Sequence, residues 1–294
     1  MVWLLRGVAR LVAWLPRPAA LALGRGIGWV LGRVVRHRRR EVEATLARCF
    51  PEWPVSRVRG TARAMYAHLG MVGVETLRMS VLGTGEILDG LRIVGEANLQ
   101  TARDGPALCL MAHLGNWEAC SAVMQAAGVR GAVVVKRIKN EAIQQHITET
   151  RRKQGLEVVD RTDAFRPVLR LLRDGVRVAI VLDQNTTRSQ GVFVDFFGRP
   201  ACTSAGLAVL SAVAAAPVLP MFCIRRADGG FDAHVLPPLD PPASRKPEAI
   251  REATQRYTGI IEAMIRKHPE QWIWLHRRWR TQPLPEAGPA AAGT

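Results

Sequence analysis

The chain has 294 residues, 41 Lys and Arg against 25 Asp and Glu, and a formal net charge of +16. With 48% hydrophobic and 22% charged residues it has an ordinary globular composition, which excludes a disordered chain, a collagen and a disulfide mini-protein. No run of about 18 uncharged apolar residues occurs, which argues against a polytopic membrane protein. The five cysteines (Cys49, Cys109, Cys120, Cys202 and Cys223) are odd in number and form no CxxC pair. That pattern suits a reduced, cytosol-facing chain without a zinc knuckle.

The elements follow in chain order. Residues 1–40 hold nine arginines and no acid, set among apolar residues that include Trp3, Trp14 and Trp29. At about 100° per residue, Arg6, Arg10 and Arg17 share one narrow stripe. Pro16 and Pro18 divide the segment into two short amphipathic helices, because proline breaks or restarts a helix. Arginine stripes with tryptophan at their edges suit the headgroup region of a bilayer. Arginines interrupt the apolar stretch, so the segment is not a cleavable signal peptide. A helix follows over 54–80. Strands are expected at 107–112, 132–135, 156–159, 176–182, 217–224 and 231–236. Helices are expected at 117–127, 140–154, 164–173, 204–215 and 247–267. This alternation indicates an α/β fold with a single mixed, largely parallel sheet flanked by helices. The last two strands read as antiparallel, joined at Asp228–Gly229–Gly230. The expected organisation is a membrane-associating segment at 1–40, one domain over 41–283 and a disordered Pro/Ala/Gly tail at 284–294.

Two further basic patches lie at 130–153 (seven bases, two acids) and 266–280 (five bases, one acid). No RNA- or DNA-recognition motif accompanies them, and the aromatic residues sit among apolar ones rather than along a basic groove, which speaks against nucleic acid as a partner.

The stretch with the most chemistry is 107–127. An apolar strand ends at His113, a tight Leu-Gly-Asn turn follows, and Asn116 is placed to cap a helix with Glu118 in its first turn. His113 and Glu118 therefore share a corner at the carboxyl end of a strand, where open α/β sheets bind ligands. A carboxylate near an imidazole can fix its tautomer and raise its basicity, so the corner could serve general acid–base chemistry. A strand-end histidine and a first-turn glutamate also have ordinary structural uses. For a metal the corner offers only two ligands, with no HExxH, so no metal is expected.

His113-Leu-Gly-Asn-Trp-Glu118 resembles the HxxxxE signature of the lipid A biosynthesis acyltransferases, within the wider glycerolipid-acyltransferase-like group. Four more blocks match in order: 133–140 with Arg137 and Asn140, 151–161 with Arg151, Asp160 and Arg161, 176–200 with Asp183-Gln184 and the FFG turn, and 269–283 (PEQWIWLHRRWRTQP). The resemblance covers nearly the whole chain. It implies a glycerolipid-acyltransferase-like fold and an enzyme that moves a fatty acyl chain from a thioester, on acyl carrier protein or coenzyme A, to a hydroxyl of a glycolipid. His113 would be the general base. Glu118 would orient it or stabilise the oxyanion, with Arg151 and Asp183 in the active site. Arg137, Asn140, Arg161 and Gln184 would bind substrate, with Arg137 matched to phosphate. The basic 130–153 patch would face an acidic carrier.

The resemblance implies a lipid A precursor as acceptor and direct transfer with no cofactor; the basic ends add the expectation of a monomer held through its N-terminal segment on the anionic cytoplasmic leaflet of the inner membrane. The alternative keeps the fold and changes the acceptor to a phosphatidylinositol mannoside or an ornithine-type lipid. A His-dependent hydrolase, with water in place of the alcohol, is a rival from another class.

Overall fold

The computed structural model describes residues 2–138 and 140–284. Beyond Leu284 the expected tail lies outside the described residues. The elements are α1 (Val2–Trp14), α2 (Arg17–Trp29, prolonged by a π-helical turn at Val30–Val34), α3 (Arg39–Cys49), α4 (Val55–Leu82), α5 (Gly85–Asp89), β1 (Leu91–Val94), α6 (Leu99–Asp104), β2 (Leu108–Met111), α7 (Cys120–Ala126), β3 (Gly131–Val135), α8 (Glu141–Lys153), β4 (Leu156–Asp160), α9 (Phe165–Arg173), β5 (Arg177–Val181), β6 (Gly191–Asp195), β7 (Pro200–Ser204), α10 (Gly206–Ala214), β8 (Val218–Arg225), β9 (Phe231–Val235) and α11 (Pro247–Lys267).

Seven strands form the main sheet in the order β1-β9-β8-β2-β5-β3-β4. β8, β2, β5, β3 and β4 run parallel, while β9 is antiparallel to β8 and carries β1 with it. The sheet is mixed and mostly parallel, flanked by helices, as the alternation of elements required. Burial explains the strand sequences. Central β2 and β8 are buried along their whole length and read as continuous apolar runs, whereas edge β1 alternates half-buried with exposed positions. The weak alternation of β1, and of the β6–β7 hairpin around the FFG turn, is why neither stands out in the sequence.

Side chains alternate between two core layers. Leu108, Leu110, Val178 and Leu182 face one layer, with α9, α10 and α11. Cys109, Met111, Ala179 and Leu219 face the other, with α7.

The helices α1 and α2 break at Pro16, as expected. They pack on α4 rather than standing apart. A Cβ added to Gly28 would lie 2.0 Å from the Tyr66 carbonyl oxygen, and one on Gly70 would lie 2.0 Å from that of Gly24, so α2 and α4 meet backbone to backbone. Arg78 of α4 donates to the Val12 and Leu15 carbonyls at 2.6 and 2.7 Å, satisfying the open end of α1. Arg17 donates to Gly229 O at 2.7 Å, and Arg6 pairs with Glu149 of α8 at 2.9 Å. Two of the three stripe arginines are thus engaged by the rest of the chain, Arg17 half-buried and Arg6 at the surface. The outward face of these helices mixes large apolar side chains with basic ones: Trp3, Leu11 and Trp14 are 78%, 70% and 88% exposed, and Arg10 and Arg25 are exposed too. Among the described residues no helix is long and apolar enough to cross a membrane.

Candidate active site

The strand β2 ends two residues before His113, and the chain turns sharply through Leu114, Gly115 and Asn116. Gly115 has φ +63°, and a Cβ there would sit 1.9 Å from the Cys223 carbonyl oxygen, so only glycine fits. Asn116 accepts hydrogen bonds from the backbone N–H groups of Glu118 (3.1 Å) and Ala119 (3.3 Å), capping a 3₁₀ turn at Trp117–Ala119 that leads into α7. The cap itself is fixed from below: Asn116 Nδ2 donates to Glu75 at 2.8 Å, and Glu75 is held in turn by Arg225 Nη1 at 2.8 Å. His68 Nε2 donates to the Gly115 carbonyl at 3.0 Å. Burial and the nearby Arg225 charge pull this histidine down to about 4, so it is a neutral brace.

Asp183, just past β5, is 2% exposed. Its Oδ1 accepts from His113 Nδ1 at 2.9 Å, and its Oδ2 accepts from the His113 backbone N–H at 3.0 Å and from Trp272 Nε1 at 2.7 Å. A carboxylate can only accept, so Nδ1 carries the proton and Nε2 keeps its lone pair. Burial pulls the His113 imidazole down, but the charge and hydrogen bond of Asp183, with Glu118 beyond, outweigh it and raise the imidazole above its usual 6.5. Burial would raise the Asp183 carboxyl, yet the His113 charge and the three hydrogen bonds hold it below its usual 3.8.

Of the two uses expected for Glu118, orienting His113 or stabilising the oxyanion, the first has no hydrogen bond behind it. Its carboxylate takes both ends of the Arg151 guanidinium, at 2.7 and 3.2 Å, with each side chain 15% exposed. The reason is geometric: β2 and β5 are hydrogen-bonded neighbours, so Asp183 arrives beside the ring, while α8 brings Arg151 to Glu118. Trp272 is the contact that sequence reasoning missed as part of this site. It lies in the C-terminal block 269–283, which the sequence marks only through the family resemblance and not as part of the site.

Of the remaining expected residues, Gln184, Arg161 and Arg137 line one cavity of about 1330 Å³, which His113, Glu118 and Arg151 also line, whereas Asn140 is not part of that lining. Gln184 Nε2 is 3.4 Å from both ring nitrogens of His113. Arg161 lines the cavity, and so does Arg137, which is exposed and paired with Glu141 at 2.9 Å. Asn140 caps α8 by accepting from the Ile143 N–H at 3.2 Å. The 130–153 patch is partly neutralised, since Arg130, Arg137 and Arg151 each face a carboxylate. Deeper walls are apolar, among them Met124, Val133, Ile180 and Leu210. Among the described residues no set of three His, Cys, Asp or Glu side chains could hold a metal ion.

Fold and site together define an α/β protein with a hydrogen-bonded histidine–aspartate pair at the edge of an apolar crevice. Comparison with known proteins names the group. The model of the bacterial lipid A biosynthesis acyltransferases matches residues 1–281, and the chain belongs to that family and is an acyltransferase. It is 28% identical to a lipid A biosynthesis lauroyltransferase of Escherichia coli, over 96% of this chain and 92% of that one. It is also 26% identical to a phosphatidylinositol mannoside acyltransferase of Mycolicibacterium smegmatis, over 89% of this chain and 86% of that one. A crystal structure of the 1-acyl-sn-glycerophosphate acyltransferase PlsC from Thermotoga maritima matches with a TM-score of 0.40 at 14% identity, covering 85% of this chain and 98% of that one.

Proposed function

We propose that this acyltransferase moves a fatty acyl chain from a thioester, on acyl carrier protein or coenzyme A, to a hydroxyl of a lipid A precursor. The observation that carries the reading is the His113–Asp183 pair, whose free Nε2 lies on a cavity with apolar depths and arginines at its rim. Nε2 takes the proton of the acceptor hydroxyl as its oxygen attacks the thioester carbonyl. The tetrahedral intermediate collapses, the C–S bond breaks, and the leaving thiolate recovers the proton from the imidazolium. Arg151, held by Glu118, offers positive charge to the developing oxyanion. Arg137 and Arg161 receive phosphate, and Gln184 steadies the substrate beside the ring. Transfer is direct, through a ternary complex of a monomeric enzyme, without a cofactor. The protein works at the cytoplasmic face of the inner membrane. The exposed Trp3, Leu11 and Trp14 support interfacial attachment, since such side chains favour the headgroup boundary.

The test is mass spectrometry of products from the purified full chain with dodecanoyl donors on each carrier. A lipid A precursor gaining one acyl chain supports the reading, and release of free fatty acid with acceptor present rejects it. The similarity to the mycobacterial enzyme, nearly equal to that of the lauroyltransferase, favours one alternative acceptor, a phosphatidylinositol mannoside. Acylation of that lipid and not of the lipid A precursor decides for it.

A further inference from the structure

The cavity beside His113 reaches both faces of the sheet. β3 and β5 pair only from Gly131–Arg177 to Val133–Ala179. Beyond that point β5 stays with β2 as far as Val181, and β3 stays with β4 as far as Asp160. The sheet therefore forks at its carboxyl edge, and the cavity passes through the fork. One set of lining residues, Met111, Cys120, Met124 and Val133, belongs to the core layer that contains α7. Another, Ala132, Ile180, Leu207 and Leu210, belongs to the opposite layer, beneath α9 and α10. At about 1330 Å³ the cavity is larger than a pocket for one drug-sized ligand, which takes about 300–1,000 Å³.

We infer that the two arms hold two alkyl chains at once: the donor's acyl chain beneath α9 and α10, and a chain of the acceptor lipid beneath α7. This rests on the acyl-transfer reading above and adds how its two substrates share the site. What lies outside each arm makes the assignment. The outer side of α9 presents Arg166, Arg170 and Arg173, which with Arg130 and Arg152 outnumber Glu157 and Asp174 along a second groove of about 1080 Å³. The two cavities share Leu156, Arg166 and Pro167, so an anionic thioester donor has a cationic approach to the α9–α10 arm. The α7 arm lies on the side of the N-terminal helices. Gln125 of α7 is hydrogen-bonded by Thr84 next to α4, and α1 meets α8, another wall of the cavity, through Arg6 and Glu149. A lipid taken from a surface that meets Trp3, Leu11 and Trp14 reaches the α7 arm first.

The experiment uses the full chain in vesicles of phosphatidylcholine and phosphatidylglycerol, with dodecanoic acid bearing a terminal diazirine as the probe. Irradiation and peptide mapping are expected to find label on both α7 and α10. Label confined to one of them overturns the inference, whether or not the protein transfers acyl chains. Kinetics then separate the arms. Leu210→Trp fills the donor arm and should cut transfer from a hexadecanoyl donor by about tenfold relative to a decanoyl donor, leaving the acceptor KM unchanged. Met124→Trp should raise the acceptor KM by about tenfold and leave donor preference unchanged. If either tryptophan variant fails to fold, Leu210→Ala replaces it and should shift preference to longer donors, and Met124→Ala should alter acceptor KM alone. The reverse pattern, or one parameter responding to both sites, refutes the assignment. Label on both arms without transfer activity would refute the acyl-transfer reading instead.

Discussion

Replacing Asp183 by asparagine tests the proposed mechanism at its tautomer. Oδ2 of Asp183 accepts two hydrogen bonds, from the His113 N–H and from Trp272 Nε1. An asparagine in this place keeps both only by putting its oxygen there, which turns its NH₂ group toward His113 Nδ1. That nitrogen must then accept, so the ring proton moves to Nε2 and the lone pair facing the cavity is lost. Nothing else in the site need move. The expected cost is the loss of a general base together with its correct tautomer, about 10³–10⁴-fold in kcat. At 1.36 kcal/mol per factor of ten this is about 4–5 kcal/mol in the barrier. His113→Ala should abolish transfer in a folded protein, and adding Asp183→Asn to it should cost nothing further, because the two residues act as a unit.

The assay is acyl transfer to the lipid acceptor followed by mass spectrometry, across pH. For the wild type, kcat/KM should rise with pH through a pKa above 6.5, the direction in which Asp183 moves His113. Activity needs the neutral imidazole, so it is gained as the proton leaves. Stability runs the opposite way. The folded pKa is raised, so the charged pair's contribution is fully present below the unfolded histidine pKa and fades as pH rises through the folded one. An Asp183→Asn enzyme within about threefold of wild type at every pH would refute the base assignment.

Three other outcomes follow from the packing. Glu75→Gln leaves Arg225 buried without its anion, which should cost about 3–5 kcal/mol and lower Tm by roughly 10 °C; an unchanged melting curve would show that Asn116 and Arg225 are held by other means. Gly28→Ala drives a methyl group to within 2.0 Å of the Tyr66 carbonyl oxygen and should destabilise by about 1–3 kcal/mol, measured by denaturant titration; a neutral result would mean that α2 is free to shift on α4. Replacing Trp3, Leu11 and Trp14 by serine should leave the circular dichroism spectrum intact. Each loss should weaken binding to anionic vesicles by about tenfold or more, at about 1.5–3 kcal/mol for each large side chain buried; equal sedimentation with vesicles would remove these residues from the membrane contact.

The corner from His113 to Glu118 was legible because its signals are local: an apolar run, a turn that needs glycine, and a capping asparagine followed by an acid. The central strands and the longer helices were legible for the same reason. What the sequence could not show is which strands are neighbours. Asp183 lies 70 positions from His113, and only the adjacency of β2 and β5 makes it, rather than the nearby Glu118, the partner of the ring. The same adjacency and the Ile273–His113 backbone contact bring Trp272 to Asp183. Short edge elements such as β1 and α5 carry too few alternating or helical positions to rise above the background.

The charge also takes on a different meaning in three dimensions. Arg78, Arg225 and Arg278 are each less than one-tenth exposed. Each contributes to the formal +16 while serving as an internal clamp: Arg78 on the end of α1, Arg225 on Glu75, and Arg278 on the Cys202 carbonyl at 2.9 Å. Burial pulls Arg278 down to about 10, so it keeps its proton at neutral pH. A planar fork of five donors satisfies several backbone oxygens at once, which lysine cannot do. Net charge therefore overstates what the protein offers to an anionic partner. The groove beside α9 keeps a surplus of positive charge, with Arg130, Arg152, Arg166, Arg170 and Arg173 against Glu157 and Asp174, and if it receives an anionic donor, salt should raise the donor KM through it without altering the clamps.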